Sequence, residues 1–109
     1  MTFQTIPTRI DSTSELFATN TTAYQELVAT LRERQQIAID GGHGREKSID
    51  RHHARGKVMA RDRVDLVTDD NTPFLEFSTL AAWGQYNDEA PGAGIVTGIG
   101  VDHGVPWVF

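Results

Sequence analysis

The chain has 109 residues, 39% of them aliphatic or aromatic, with ten Lys and Arg against fifteen Asp and Glu for a net charge of −5. That length suits one domain of ordinary globular composition, and the lack of cysteine excludes disulfides and thiolate metal sites. No apolar run nears the roughly 20 residues that cross a bilayer, and the start lacks a charged-then-apolar signal. The expectation is therefore a cytoplasmic protein with no membrane or nucleic-acid partner.

Residues 1–21 are weakly patterned and are expected to be mobile, although Ser12 and Glu15 have capping-box spacing and could open a short turn around Leu16 and Phe17. A helical region is predicted over 22–68. Thr22 and Gln25 repeat the capping spacing, and Tyr24, Leu27, Val28 and Leu31 follow at helical intervals toward Ala38, with Gly41-Gly42 as the stop. A second helix, about Arg45 to Arg55 and closed by Gly56, is almost entirely polar. Lys47, Arg51 and Arg55 form a cationic ridge beside an acidic ridge of Glu46 and Asp50, so like charges repel and the helix must draw stability from a partner surface. Ile49, His52, His53 and Ala54 are its inward candidates. A third helix, about Ala60 to Val67, should bury Val64 with Leu66 or Val67 before it breaks at Asp69-Asp70-Asn71.

The region 73–109 reads as β-structure. Phe74 to Phe77 alternates like a half-exposed edge strand, and Ser78 to Glu89 reads as a loop bearing Trp83 and Tyr86. Ala90-Pro91-Gly92-Ala93-Gly94 is a bend, and the β-branched-rich run Ile95 to Val101 follows it. Asp102-His103-Gly104 then reverses the chain into Val105 to Phe109, which predicts a β-hairpin. The last run has no polar alternation, as in strands covered on both faces within layered α/β folds. Ending inside such a strand, the sequence is expected to be a truncated portion of a larger domain.

Several stretches imitate known chemistry. Gly41 to Ser48 nearly spells a phosphate-binding loop, but Glu46 stands where a glycine is needed and a helix, not a strand, precedes it, so a helix–helix linker is expected. Gly92-Ala93-Gly94 and Gly98-Ile99-Gly100 lack both the third glycine and the following helix of a dinucleotide fingerprint; they mark bends and close backbone approach. His52 and His53, adjacent on a helix, point about 100° apart and cannot share a metal as i, i+4 residues do; no metal is expected at them, at His43 or at His103. Asp88-Glu89 reads as a turn former, not an acid–base pair, and Trp83, Tyr86 and Trp107 as core or interface aromatics. Between His43 and Arg63 stand seven Lys and Arg against Glu46, Asp50 and Asp62. That block suits either a phosphorylated ligand or an ion-pair surface between chains or elements.

Arg55-Gly56-Lys57-Val58-Met59-Ala60-Arg61-Asp62-Arg63-Val64-Asp65-Leu66, the strand Phe74 to Phe77, and Tyr86-Asn87-Asp88-Glu89-Ala90-Pro91-Gly92-Ala93-Gly94-Ile95-Val96-Thr97-Gly98-Ile99-Gly100 together resemble the N-terminal portion of the carboxyltransferase (β) subunit of biotin-dependent acyl-CoA carboxylases. The resemblance covers about Leu27 to Phe109, and the Asp-Glu-Ala-Pro-Gly-Ala-Gly run is closest to the methylcrotonyl-CoA and geranyl-CoA type. It implies an α/β crotonase-like (ClpP/crotonase) domain, here an incomplete N-terminal portion with helices first, then a short strand and a hairpin. It further implies transfer of a carboxyl group from carboxybiotin to an acyl-CoA such as 3-methylcrotonyl-CoA, a homo-oligomeric full-length subunit, and biotin carboxylase and biotin carrier partners. Biotin would ride on the carrier; no cofactor is expected on this stretch. The family's oxyanion donors lie beyond Phe109, so no catalytic residue is assigned. Arg55, Lys57 and Arg61 are the candidate contacts to CoA phosphates. Met59 departs from the family pattern, in which a Thr caps the third helix, as do Thr68 at an apolar position and Asp70-Asn71 in place of Pro-Gly. From the other class of reading comes a small non-catalytic module that pairs its hairpin with a partner's sheet edge.

Overall fold

The computed structural model of this chain describes residues 5–109. The first four residues of the segment expected to be mobile lie outside that range. Helix α1 spans Glu15–Ile39, opening seven residues before the expected Thr22. Ser14 is its cap: the Ser14 hydroxyl oxygen accepts the Phe17 N–H at 3.2 Å and the hydroxyl donates to the Asp11 carbonyl at 2.8 Å. Glu15 adds a negative charge to the first turn. Thr22 instead lies inside the helix, its hydroxyl donating to the Ala18 carbonyl at 3.1 Å, so capping-box spacing there was a coincidence of polar residues on an exposed surface. The stop falls as expected. Gly41 and Gly42 take φ of +96° and +90°, and the Gly42 N–H bonds the Ile37 carbonyl at 2.9 Å.

Contacts divide the chain into two compact units between Arg32 and Glu33. The first is helical, and its apolar residues Leu16, Tyr24, Leu27 and Leu31 are exposed. The second holds the end of α1 and everything after it.

Within that second unit, α2 spans Glu46–Ala54 and α3 spans Ala60–Val67, close to the predicted limits. Ile49 and His52, at i and i+3, are the half-buried positions of α2, while His53 and Ala54, expected inward, are exposed. On α3 the inward face is Arg61, Val64 and Thr68, at i, i+3 and i+7. Leu66, expected to help bury this helix, is 76% exposed, and Val67 is exposed as well. Eight residues make little more than two turns, and the face chosen is the one that puts Arg61 and Thr68 against the sheet.

Three antiparallel strands follow, β1 (Leu75–Phe77), β2 (Thr97–Asp102) and β3 (Val105–Val108), in the order β1-β2-β3. Glu76 lies opposite Gly98 and Trp107 opposite Gly100. The expected hairpin is present, and its two turn residues, His103 at φ +51° and Gly104 at φ +73°, have the positive φ of a type I′ turn, whose twist matches that of paired strands. Small residues bring the layers together. Gly98 and Gly100 are buried beneath Phe74 and Phe109, whose rings meet edge-on with centroids 6.2 Å apart. A Cβ on Gly98 would meet Phe74 Cζ at 2.5 Å, and one on Gly100 would meet Thr68 Cγ2 at 2.7 Å. These glycines are sites of close approach, as the sequence suggested.

Ala82 and Pro91 bury the loop between β1 and β2, joined by the Ala82 N–H to Pro91 carbonyl bond of 2.8 Å. Tyr86, Asn87 and Asp88 form one left-handed turn with φ of +53°, +55° and +56°, a conformation costly to side chains. It is held by the Asp88 carboxylate, which accepts the Gly84 N–H at 2.6 Å. All four residues of β3 are exposed, Trp107 at 55% and Val108 at 77%.

Candidate functional site

The basic block of the sequence becomes the α2–α3 region. Arg55 closes α2, its N–H bonded to the His52 carbonyl at 3.2 Å, and Lys57 follows in the connecting turn, its N–H bonded to the same carbonyl at 3.2 Å. Both side chains are exposed. Arg61 is different: its guanidinium forms a bidentate pair with Glu76 of β1, with Nη2 to Oε1 at 2.7 Å and Nη1 to Oε2 as the second arm. The ion pair is partly buried and ties α3 to the sheet. Of the three proposed phosphate contacts, the fold leaves Arg55 and Lys57 exposed and holds Arg61 on a carboxylate. Nothing local in the sequence links residues 61 and 76, so the pair could not be read there.

Beside that turn lies a groove of about 310 Å³ whose lining includes Arg45, Ser48, Ile49 and His52 from the α2 side and Val58, Met59 and Arg63 from the α3 side. The Val58 carbonyl joins its walls, lying 3.0 Å from Arg63 Nε and 3.3 Å from His52 Nε2. No carboxylate lines it. Met59, in extended conformation at the start of α3, provides no side-chain cap.

A second cluster, absent from the sequence reading, forms at the hairpin turn. Asp69 accepts the His103 N–H at 2.8 Å on one carboxylate oxygen and the Gly104 N–H at 2.7 Å on the other. Its own N–H bonds the Val101 carbonyl at 2.7 Å. These bonds, from Gly104 first and His103 second, hold the Asp69 carboxyl below its ordinary range. His103 Nδ1 lies 2.6 Å from Asp102 Oδ1, and this hydrogen bond, followed by the charge of Asp102, raises the imidazole pKa. The three groups could approach a metal ion, since their ligand atoms lie within 4.8 Å of one another. Both Asp69 oxygens are already accepting backbone N–H groups, however, and the arrangement is that of a clamp on the turn. The bonded partners are 34 and 35 residues apart, beyond any local motif.

Elsewhere in this unit, the Arg34 guanidinium stands 5.3 Å from the Trp83 ring centre, so that tryptophan anchors the end of α1 through a cation–π contact. His52 and His53 have ring centroids 6.5 Å apart. No helix among the described residues is long and apolar enough to cross a membrane.

Three helices leading into a small antiparallel sheet, with glycines where strands meet aromatic rings, define part of an α/β domain of the crotonase-like carboxyltransferase type. The β subunit of geranyl-CoA carboxylase from P. aeruginosa has this arrangement, matching 94% of this chain at a TM-score of 0.76 and 33% identity, over 19% of its own length. Residues 51–109 match the carboxyl transferase domain family. The biotin-dependent 3-methylcrotonyl-coenzyme A carboxylase beta1 subunit of Mycobacterium tuberculosis (strain ATCC 25618 / H37Rv) is 49% identical over 77 residues, covering 71% of this chain and 14% of that protein. The mitochondrial methylcrotonoyl-CoA carboxylase beta chain of Arabidopsis thaliana is 35% identical over 99 residues, 91% of this chain and 16% of that one. The chain belongs to the carboxyl transferase domain family. It spans about one-sixth of the length of these relatives.

Proposed function

We propose that this chain is the N-terminal portion of an acyl-CoA carboxylase carboxyltransferase subunit, whose reaction moves a carboxyl group from carboxybiotin to an acyl-CoA of the 3-methylcrotonyl type. The observation that carries this reading is the coincidence of fold and sequence with a carboxylase β subunit across 94% of the chain. Carboxyl transfer requires preorganised donors at two oxygens, the enolate oxygen of the acyl thioester and the ureido oxygen of biotin. Gly98 and Gly100 do not have that form: they are enclosed beneath Phe74 and Phe109, so their role is packing. The portion therefore builds the edge of the domain and leaves the chemistry to other segments. In this reading biotin belongs to a carrier protein, and a biotin carboxylase subunit and further copies of the β subunit are the partners. Arg55 and Lys57 are exposed contacts for CoA phosphates, while Arg61 would have to release Glu76 to join them.

The test is an assay of the purified 109-residue chain for carboxyl transfer from carboxybiotin to 3-methylcrotonyl-CoA. The expected result is no turnover above background; sustained turnover would show that the chain holds its own oxyanion donors and overturn the reading. A second reading, an interaction module, draws support from the open edge of β3. It predicts a monodisperse chain with a sharp, cooperative melt.

A further inference from the structure

We infer that the groove between α2 and α3 is an anion site for a phosphate ester or diphosphate, held chiefly by Arg45 and Arg63. The chain as a whole is acidic, at −5, yet the stretch from His43 to Arg63 has seven cations and three carboxylates, and none of those carboxylates lines the groove. Neither Arg45 nor Arg63 has an ion-pair partner among the described residues, in contrast to Arg61, which is taken by Glu76. Both arginines are exposed, like the other unpaired cations of the stretch, and what sets these two apart is that they line the same groove.

The geometry is built, not merely charged. Arg63 Nε is fixed on the Val58 carbonyl at 3.0 Å, and His52 Nε2 lies 3.3 Å from the same oxygen. One carbonyl therefore sets both walls and leaves the terminal guanidinium nitrogens of Arg63 as a fork for planar, bidentate contact with phosphate oxygens. Ser48 adds a hydroxyl to the lining, and the half-buried Ile49 and Met59 add apolar surface to it. A volume of about 310 Å³ admits a diphosphate. This inference does not depend on the carboxyl-transfer reading, since an anion site can serve any phosphorylated ligand.

The test is a titration of inorganic pyrophosphate into the isotopically labelled 109-residue chain at low ionic strength, read by backbone amide shifts. Saturable shifts are expected at Ser48, His52, Ala60 and Arg63. Arg45→Ala should weaken binding about tenfold, the loss of one charge-assisted contact. Arg63→Lys, which keeps the charge but loses the fork, should weaken it nearly as much, whereas Lys47→Ala, outside the groove, should change it less than about twofold. Coenzyme A competing with pyrophosphate while pantetheine fails to bind would assign the phosphate to a coenzyme. Binding of pyrophosphate alone would assign it to a free phosphate. Shifts that sodium chloride reproduces at matched ionic strength, or that survive both arginine substitutions, would overturn the inference. The same titration in the P. aeruginosa geranyl-CoA carboxylase β subunit, with this chain replacing its matching stretch, gives the answer even if the isolated chain folds poorly.

Discussion

Gly98, Gly100 and Asp69 occupy positions where the chain approaches itself closely. Gly98→Ala would drive a methyl group against the Leu75 carbonyl and the Phe74 ring. Because both belong to the packed strand layer, little can yield, and a loss of about 1–3 kcal/mol is expected in denaturant unfolding of the full β subunit. The same substitution at Gly94, where nothing lies within 4 Å but φ is +69°, should cost about 1 kcal/mol, from backbone strain alone. Asp69 predicts a pH dependence. Its carboxyl pKa is depressed in the fold, so its contribution is fully present above the ordinary value of 3.8 and is lost as pH falls through the depressed one. His103 works in the other direction: with its pKa raised, its contribution is fully present below the ordinary 6.5 and is lost as pH rises through the raised value. The hairpin turn should be best protected from amide exchange between about pH 4 and 6.5, and Asp69→Asn should abolish the acid side of that profile while only weakening the alkaline side, which depends first on Asp102 and less on Asp69. Equal protection at His103 and Gly104 in the parent and the variant would show that the clamp contributes nothing.

Helices and strands differ in how far their own residues specify them. Met59 begins α3 without a side-chain acceptor, so Met59→Thr should stabilise the protein by about 1 kcal/mol by capping a free N–H; no change in the unfolding midpoint would contradict that. Arg61 and Glu76 join α3 to β1, and a double-mutant cycle on their bidentate, half-buried pair should give a coupling of roughly 1 kcal/mol. The limits of α2 and α3, the glycine stop of α1, the edge strand and the hairpin were all legible, because caps, glycines and β-branched runs act over a few residues. The start of α1 was not: Ser14 caps it and is tied to Asp11, and Thr22 offered an equally good pattern eight residues later. Helical periodicity also favoured Leu66 and Val67 over the polar face bearing Arg61 and Thr68. That choice depends on Glu76 and Gly100, which no window along α3 contains. The candidate site shows the same division. Its basic character was visible from composition, but the commitment of Arg61 and the meeting of His52 and Arg63 at the Val58 carbonyl arise only on folding.

At the scale of the whole molecule, the buried residues are few and small, Ala38, Ala82 and Pro91 among them, while Leu75, Ile95, Trp107 and Val108 are exposed. Burial of apolar side chains is the main stabilising term in folding. The isolated 109-residue chain should therefore melt over a broad range with little heat-capacity change, and a sharp transition would favour the interaction-module reading instead. The most direct test replaces the matching stretch of the P. aeruginosa geranyl-CoA carboxylase β subunit, to which this chain aligns at a TM-score of 0.76, with the present sequence, and measures geranyl-CoA carboxylation by the assembled enzyme. Membership in the same structural role predicts an assembled chimera with activity within about tenfold of the parent, a barrier change near 1.4 kcal/mol. A chimera that assembles normally but carboxylates nothing would contradict it.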